Sequence, residues 1–218
     1  MLAQVFAPDG GKLYTETNLN NTFPEPFNAV TSLLFVALAV FWLVRLKYFN
    51  HQHRFLSFAS WILLIGSIGG TIYHGLRLSA IFIWMDWLPI AILCVLGSIY
   101  FWNLAAKNGY LGWLLVALLV GAEYVILNST QSKHPDFAQN LNYGIMGAML
   151  LFPLGIVLVR NHWREWRLIL LAFSTFGIAL FFRVADSWTI ISTGTHFLWH
   201  IFGAIATLSL FLFIYRLK

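Results

Sequence analysis

Three histidines stand out in the sequence because they lie within apolar segments. His196 and His200 are four residues apart in the stretch THFLWHIFGA, and His74 lies near the end of another apolar stretch, in TIYHGL. Residues four apart lie on the same side of a helix, so this pair can bind one metal ion. A third imidazole would complete the three protein ligands typical of catalytic zinc, with one position open for water. The spacing therefore predicts a zinc centre at His74, His196 and His200.

Zinc held by three histidines would support hydrolysis. A bound zinc ion lowers the pKa of water to about 7 and polarises a carbonyl group. The residues between the paired histidines include no glutamate, so the proton acceptor must come from another helix. We expect Asp86 to take this role, because it falls in the same layer of the predicted bundle. Thr71 and Ser67, one and two turns before His74, are candidates to orient the water or to hydrogen-bond the developing oxyanion.

The composition places the whole chain in a membrane. Of its 218 residues, 60% are hydrophobic and only 10% are charged, whereas a soluble domain is about a quarter charged. The 13 Lys and Arg residues are scattered between apolar runs and form no basic face, so we expect no nucleic-acid partner. We find no internal repeat or long linker, and we predict one domain over residues 1–218. It begins with a short polar segment, 1–27, which lacks the apolar region and the cleavage site of a secretory signal peptide.

The histidines and Asp86 lie on apolar segments that are long enough to cross a bilayer as helices, which takes about 20 residues. The connections between them are short, so consecutive helices should be antiparallel neighbours. The fold class predicted is therefore an all-α bundle of seven transmembrane helices. The predicted spans are 28–48, 56–77, 80–102, 109–129, 138–159, 165–183 and 193–215.

Basic residues predict the orientation of the bundle. Cytoplasmic loops carry an excess of Lys and Arg, and seven spans put the two termini on opposite sides. The richer side, predicted to be cytoplasmic along with the C-terminus, holds Arg45, Lys47, Arg54, Lys107, Arg160, Arg164, Arg167, Arg216 and Lys218, and the other side holds Lys12, Arg77, Lys133 and Arg183. The N-terminus should then lie outside.

With this orientation, the polar groups inside the spans share the outer half of the membrane. His74 should lie close to the outer end of the second span, and His196 and His200 one to two turns inside the outer end of the seventh. Small residues precede His74 on its own helical face, as expected of an interior packing face. We therefore expect the active site in the extracytoplasmic or luminal leaflet half of a multi-pass membrane protein.

Several motifs in register resemble the alkaline ceramidases, within the CREST superfamily of heptahelical membrane hydrolases. These motifs are EPFNAVTSL (Glu25, Asn28, Ser32), TIYHGL (His74), WMDWLPI (Asp86), the aspartate Asp186, and HFLWH (His196, Trp199, His200). The resemblance implies a zinc-dependent amidase that cleaves ceramide-like membrane lipids to a free fatty acid and a sphingoid base. It also implies zinc held by the three histidines and Asp86 acting on the water.

The same resemblance implies further residues. Members of the family bind calcium through an acidic N-terminal stretch followed by a glutamate of helix one. The matching stretch LYTETN retains Glu16 and Asn18, and Glu25 and Asn28 follow in EPFNAVTSL, so the resemblance implies a calcium site at these four residues. Trp199 and Asp186 belong to the matched motifs, and Arg183 lies at the predicted junction of the sixth and seventh spans. All three are expected beside the substrate or behind the zinc ligands. Four residues before the second-span histidine the family has a serine, whereas this chain has Gly70, so Ser67 and Thr71 are the hydroxyls considered for the oxyanion.

Other interpretations of these residues stay open. The histidines could be interior residues bonded to neighbouring helices, Asp86 could be paired with Arg77 or Arg183, and Asp186 with Arg183 could form a simple ion pair. A second class of function is a heptahelical transporter or receptor that uses intramembrane His and Asp for protons or ligands. A haem carrier fits less well, because histidines four apart project the same way. The sequence leaves open the acyl length, amide against ester preference, and the oligomeric state.

Overall fold

The computed structural model describes residue 7 and residues 9–106, 109–131 and 135–217, which fold into seven α-helices. The all-α fold class predicted from the sequence is confirmed for these residues. The helices are α1 (Pro26–Arg45), α2 (Arg54–Leu76), α3 (Ala80–Ala106), α4 (Gly109–Gln131), α5 (Pro135–Arg160), α6 (Trp166–Ala185) and α7 (His196–Arg216), and short 3-10 helices occupy His51–His53 and Asp186–Trp188.

Six helical segments in the described residues are long and apolar enough to cross a membrane. They are Pro26–Arg45, His51–Leu76, Ala80–Ala106, Asn140–Arg160, Trp166–Trp188 and His196–Arg216, and α4 contributes a shorter apolar stretch, Tyr110–Ile126. The prediction of a multi-pass helical membrane protein is therefore confirmed. The seventh span, the orientation and the single domain stay predictions, and Lys107, Lys133 and Lys218 of the charge comparison lie outside the described residues.

Two helix ends decide where the histidines lie. Helix α2 ends at Leu76 because Arg77 adopts a left-handed conformation with φ of 51°, and its N–H donates to the carbonyl of Tyr73 at 3.0 Å. Helix α7 begins only at His196, after Gly194 with φ of 69°. The predicted start of about 193 therefore lies three residues before the observed one. His196 is the first helical residue of α7 and not one turn inside it, whereas His200 lies one turn inside the helix, as expected.

The structure divides into two compact units. The first comprises Met1–Ile90 and Arg167–Lys218, and the second comprises Ala91–Trp166. In the first unit α1 packs against α2 and α7, and α2 approaches the beginning of α3 through glycines: a Cβ atom on Gly66 would lie 2.8 Å from Cβ of Pro89. In the second unit α4 packs against α5, around a buried cluster of Ile99, Val116 and Met149. All the predicted site residues belong to the first unit.

Candidate metal centre

The three predicted zinc ligands come together in the first unit. Each of His74, His196 and His200 offers one ring nitrogen, and these three atoms all lie within 4.8 Å of one another. The ring centroids are 5.4 Å apart for His74 and His196, and 4.9 Å apart for each of the other two pairs. All three side chains are buried. The cluster can therefore hold a metal ion, as the spacing of the histidines predicted.

A buried carboxylate fixes the orientation of His74. Nδ1 of His74 lies 2.5 Å from Oε2 of Glu25, and both side chains are fully buried. Burial raises the pKa of Glu25, but the contacts of its carboxylate with His74, Thr17 and Arg77 lower that pKa by more. Glu25 is thus an ionised acceptor, and Nδ1 of His74 carries the proton. Nε2 keeps its lone pair and has no hydrogen-bond partner among the described residues, as in carboxylate–histidine–metal arrangements.

Helix α1 fixes the orientation of His200. Its Nδ1 lies 3.1 Å from the backbone carbonyl of Asn28, and it also contacts the hydroxyls of Thr31 at 3.0 Å and Ser32 at 3.4 Å. A carbonyl oxygen can only accept, so Nδ1 of His200 is the donor and Nε2 carries the lone pair. One face of α1 therefore prepares His200 to bind through Nε2, the same ring nitrogen that is left available on His74.

The third histidine is positioned through its backbone. Oδ1 of Asp186 accepts hydrogen bonds from the N–H groups of Thr195, at 2.8 Å, and His196, at 3.0 Å. A carboxylate at this place satisfies the free donors at the beginning of α7 and complements the positive end of its dipole. Nδ1 of His196 is buried and has no hydrogen-bond partner within the described ranges. An orphaned buried nitrogen is costly, and a metal ion would satisfy it.

The N-terminal segment covers the cluster. The ring of Tyr14 stacks on His196, with centroids 3.9 Å apart and planes inclined by 25°, and it lies 5.5 Å from the ring of His74. Thr15 anchors the segment, because its N–H donates to Oδ2 of Asp186 at 3.0 Å and its hydroxyl donates to the Asp186 carbonyl at 2.6 Å. One aspartate thus holds both the beginning of α7 and the segment that lies over the histidines.

Asp86, the expected proton acceptor, lies against α2 one turn before His74. A Cβ atom on Gly70 would lie 3.3 Å from Cγ of Asp86 and closer still to its Oδ1, so only glycine leaves room for this carboxylate. His74 and Arg183 both interact electrostatically with it. Asp86 therefore lies in the layer of His74, as predicted. Its catalytic role stays a prediction.

The two candidate oxyanion hydroxyls are engaged within their own helix. The Ser67 hydroxyl donates to the carbonyl of Leu64 at 3.0 Å, and the Thr71 hydroxyl donates to the carbonyl of Ser67 at 2.8 Å. Each oxygen can still accept a hydrogen bond, but donation to an oxyanion would require the hydroxyl to rotate away from the helix carbonyl. The proposed roles of Ser67 and Thr71 stay predictions.

The four residues predicted to bind calcium already make hydrogen bonds, partly with one another. Glu16 accepts from the backbone N–H groups of Phe27, at 2.5 Å, and Asn28, at 3.0 Å, and so caps the beginning of α1. Oδ1 of Asn18 accepts from the N–H of Asn20 at 3.1 Å, and Nδ2 of Asn28 donates to Glu25 at 3.2 Å. Oδ1 of Asn28 is buried with no hydrogen-bond partner in the described part of the chain. The calcium site stays a prediction.

Trp199 and Arg183 lie against each other. The Arg183 guanidinium is 5.5 Å from the centre of the Trp199 ring, which lies 6.1 Å from the ring of Phe176 on α6. Trp199 therefore faces α6, although it stands between two of the ligands in sequence. A role for either residue beside a substrate stays a prediction.

Three contributors to the site escaped the sequence reasoning: Tyr14, Thr15 and Arg77. Thr15 and Asp186 are 171 residues apart in the chain, so no local pattern could pair them. The sequence suggests only that Arg77 sets topology or pairs with Asp86, because a cation at a helix end looks the same in sequence whichever group it faces. In the structure Arg77 pairs with Asp9 and Glu25. The density of polar residues in LYTETN is the only sequence signal that this stretch contributes to the site.

Comparisons with known proteins do not indicate a function for this chain. No family model matches this chain, and no curated protein matches it. What points to a function is therefore the cluster itself: three buried imidazoles that converge, two of them held through Nδ1 so that Nε2 is available, and a carboxylate in the same layer.

Proposed function

We propose that this protein is a zinc-dependent lipid amidase that works within the membrane and hydrolyses the amide bond of ceramide-like lipids to a free fatty acid and a sphingoid base. The observation that carries the proposal is the buried cluster of His74, His196 and His200 in a chain whose described residues include six helical segments long and apolar enough to cross a membrane. The resemblance to alkaline ceramidases supplies the substrate class.

The ligand set suits zinc. Neutral imidazoles are zinc ligands that need no charge buried on the protein, and three protein ligands are the pattern of a catalytic site. The orphaned nitrogens of His74 and His196 are the atoms that such an ion would satisfy. When bound, zinc would polarise the amide carbonyl and lower the pKa of water.

The chain's own residues would supply proton transfer and positioning. Asp86 would accept a proton from the attacking water and then donate a proton to the amine that leaves, so that the carboxylate is regenerated. Glu25 and the Asn28 carbonyl would keep the ring nitrogens of His74 and His200 in the correct tautomer. Asp186 would keep His196 in place through the backbone.

The surroundings favour a lipid over a soluble amide. Tyr14 and the N-terminal segment cover the histidines, so we propose that acyl chains enter sideways between helices from the extracytoplasmic or luminal leaflet. Binding of the remote chains would then contribute to catalysis. A ceramide with long acyl chains in a bilayer should be cleaved faster than a soluble short-chain amide, and equal rates would contradict lateral entry.

Zinc content and product formation test the proposal together. The full-length protein, purified in detergent, should contain one zinc ion and release fatty acid from ceramide, as measured by elemental analysis and lipid mass spectrometry. His200→Ala should lose both zinc and activity. The matched control is His51→Ala, because His51 is exposed in the 3-10 helix before α2.

Two results would overturn the proposal. Full zinc occupancy in His200→Ala would refute the ligand assignment. Transport or ligand binding by the wild type, with zinc absent and no lipid product formed, would instead favour the heptahelical transporter or receptor.

A further inference from the structure

A buried ion cluster joins the N-terminal segment to the end of α2. It consists of Asp9, Arg77 and Glu25, and we call it the Arg77 cluster. Nε and one terminal nitrogen of Arg77 donate to the two carboxylate oxygens of Asp9 at 2.7 and 2.9 Å, and its other terminal nitrogen donates to Glu25 and to the backbone carbonyl of Lys12, the latter at 3.0 Å. The three side chains are at most 1% exposed.

The backbone of Arg77 explains how it reaches both carboxylates. Its left-handed conformation ends α2 and redirects the chain. The guanidinium then lies 4.6 Å from the centre of the Tyr73 ring, on the last turn of α2. A planar guanidinium suits two carboxylates at once, because its five N–H donors form a rigid fork and its charge is permanent.

These contacts leave little for a calcium ion to bind. Calcium takes six to eight oxygen ligands. Both oxygens of Glu25 already accept hydrogen bonds, Oε1 from Thr17 and Arg77 and Oε2 from His74 and Asn28. Both oxygens of Glu16 accept from backbone N–H groups. A fixed guanidinium beside Glu25 would also repel a divalent cation at the same carboxylate.

We propose that Arg77 supplies the positive charge that docks the N-terminal segment, in place of calcium, and that it positions the metal ligand His74 through Glu25. The contacts run in one line from Asp9 to Arg77, Glu25 and His74. Arg77 is then a positioning residue, separated from the metal site by one carboxylate. This second part rests on the proposed function, because it takes His74 to be a zinc ligand.

The first arm of the test concerns calcium. Full-length protein in detergent is analysed for bound calcium and melted with added calcium or with a calcium-selective chelator. We expect no bound calcium and the same melting temperature in both conditions. One bound calcium ion, or a melting temperature that rises with calcium, would overturn the replacement of calcium by Arg77. This arm depends on neither zinc nor hydrolysis, so it stays informative if the proposed amidase activity is absent.

The second arm concerns His74 and compares Arg77→Gln and Arg77→Lys with Arg54→Gln, an exposed arginine at the beginning of the same helix. Zinc affinity is measured by chelator competition, and ligand geometry by the visible spectrum of the cobalt(II)-loaded protein. Loss of the direct partner of a metal-bound histidine weakens metal binding roughly 10- to 100-fold. Because Arg77 acts on His74 through Glu25, we expect Arg77→Gln to lose at most this much zinc affinity and to have an altered cobalt spectrum.

We expect Arg77→Lys to recover part of the affinity, because it keeps the charge but not the fork, and Arg54→Gln to match the wild type. Zinc affinity and a cobalt spectrum unchanged in both Arg77 variants would overturn the positioning role. If Arg77→Gln fails to fold, the cobalt spectrum of Arg77→Lys still tests the positioning role, and the calcium measurements still test the replacement of calcium by Arg77. Absence of zinc and cobalt binding in the wild type would instead count against the proposed function.

Discussion

Replacing Asp186 by alanine removes the acceptor that holds the beginning of α7. Three backbone N–H groups donate to this carboxylate, from Thr195 at 2.8 Å, His196 at 3.0 Å and Thr15 at 3.0 Å. The side chain is only 2% exposed, so water cannot easily take its place. The perturbation therefore releases both the first turn of α7 and the N-terminal segment.

The size of the effect follows from these bonds. Loss of a helix N-cap costs about 0.5–2 kcal/mol, and a buried donor left unpaired costs about 1–3 kcal/mol. Since α7 can partly relax, we expect about 3 kcal/mol for Asp186→Ala, and about 1 kcal/mol for Asp186→Asn, which keeps one acceptor oxygen. By the scaling for chains of this size, Asp186→Ala should lower the melting temperature by about 6–12 °C.

The assay combines thermal unfolding in detergent with metal binding. Because His196 is the first residue of α7, fraying of that turn should also weaken binding of the proposed zinc ion in Asp186→Ala. Ser187→Ala is the control: Ser187 is the exposed neighbour of Asp186, and its hydroxyl donates only to the Val184 carbonyl at 3.1 Å. If Asp186→Ala melts and binds zinc like the control, the capping argument is refuted.

Three further predictions follow from the contacts described. Asp86→Asn should keep its zinc but lose turnover by roughly 10²- to 10⁴-fold, and a loss of zinc in this variant would show a structural role instead. Gly70→Ala should also lower turnover, because its Cβ would displace the Asp86 carboxylate, whereas Gly144→Ala, with no atom within 4 Å of its added Cβ, should match the wild type in the same assay. Burial raises the pKa of Asp9, but the hydrogen bonds and charge of Arg77, together with the hydrogen bond from the Gly11 N–H, lower that pKa by more in total. The stability that Asp9 contributes is therefore complete above the unfolded pKa of about 3.9 and is lost as the pH falls through the folded value. Asp9→Asn should accordingly melt below the wild type at neutral pH, and the two melting temperatures should converge in strong acid; a constant difference would contradict this.

The sequence contains strong signals for the histidine cluster and for the helices that carry it. The spacing of His196 and His200 by four, in a segment apolar enough to cross a membrane, is a local pattern that places two imidazoles on one side of a helix. The small residues before His74 likewise predict the close contact of α2 with another helix, and Gly70 lies against Asp86 on α3. These features depend only on helical periodicity.

The remaining parts of the site depend on contacts that periodicity does not encode. The beginning of α7 at His196 is set by Asp186, which precedes it by ten residues, and by Gly194, so an apolar window placed it too early. The sequence also gives no local signal for the two partners of Glu25, because Arg77 lies 52 residues away and His74 lies 49 residues away. Tyr14 contacts His196 because the irregular N-terminal segment packs against the helices. Packing of this kind produces no periodic pattern in the sequence.

The way the site closes has a consequence for biogenesis. Tyr14, Glu25 and His74 leave the ribosome long before His196 and His200, yet the cluster needs all of them, and Asp186 joins the early segment to the late helix. The proposed metal ion would therefore find all three imidazoles only after the synthesis and insertion of α7. A chain that ends before α7 has Glu25 and His74 but lacks His196 and His200. Such a truncated protein would therefore lack two of the three candidate metal ligands.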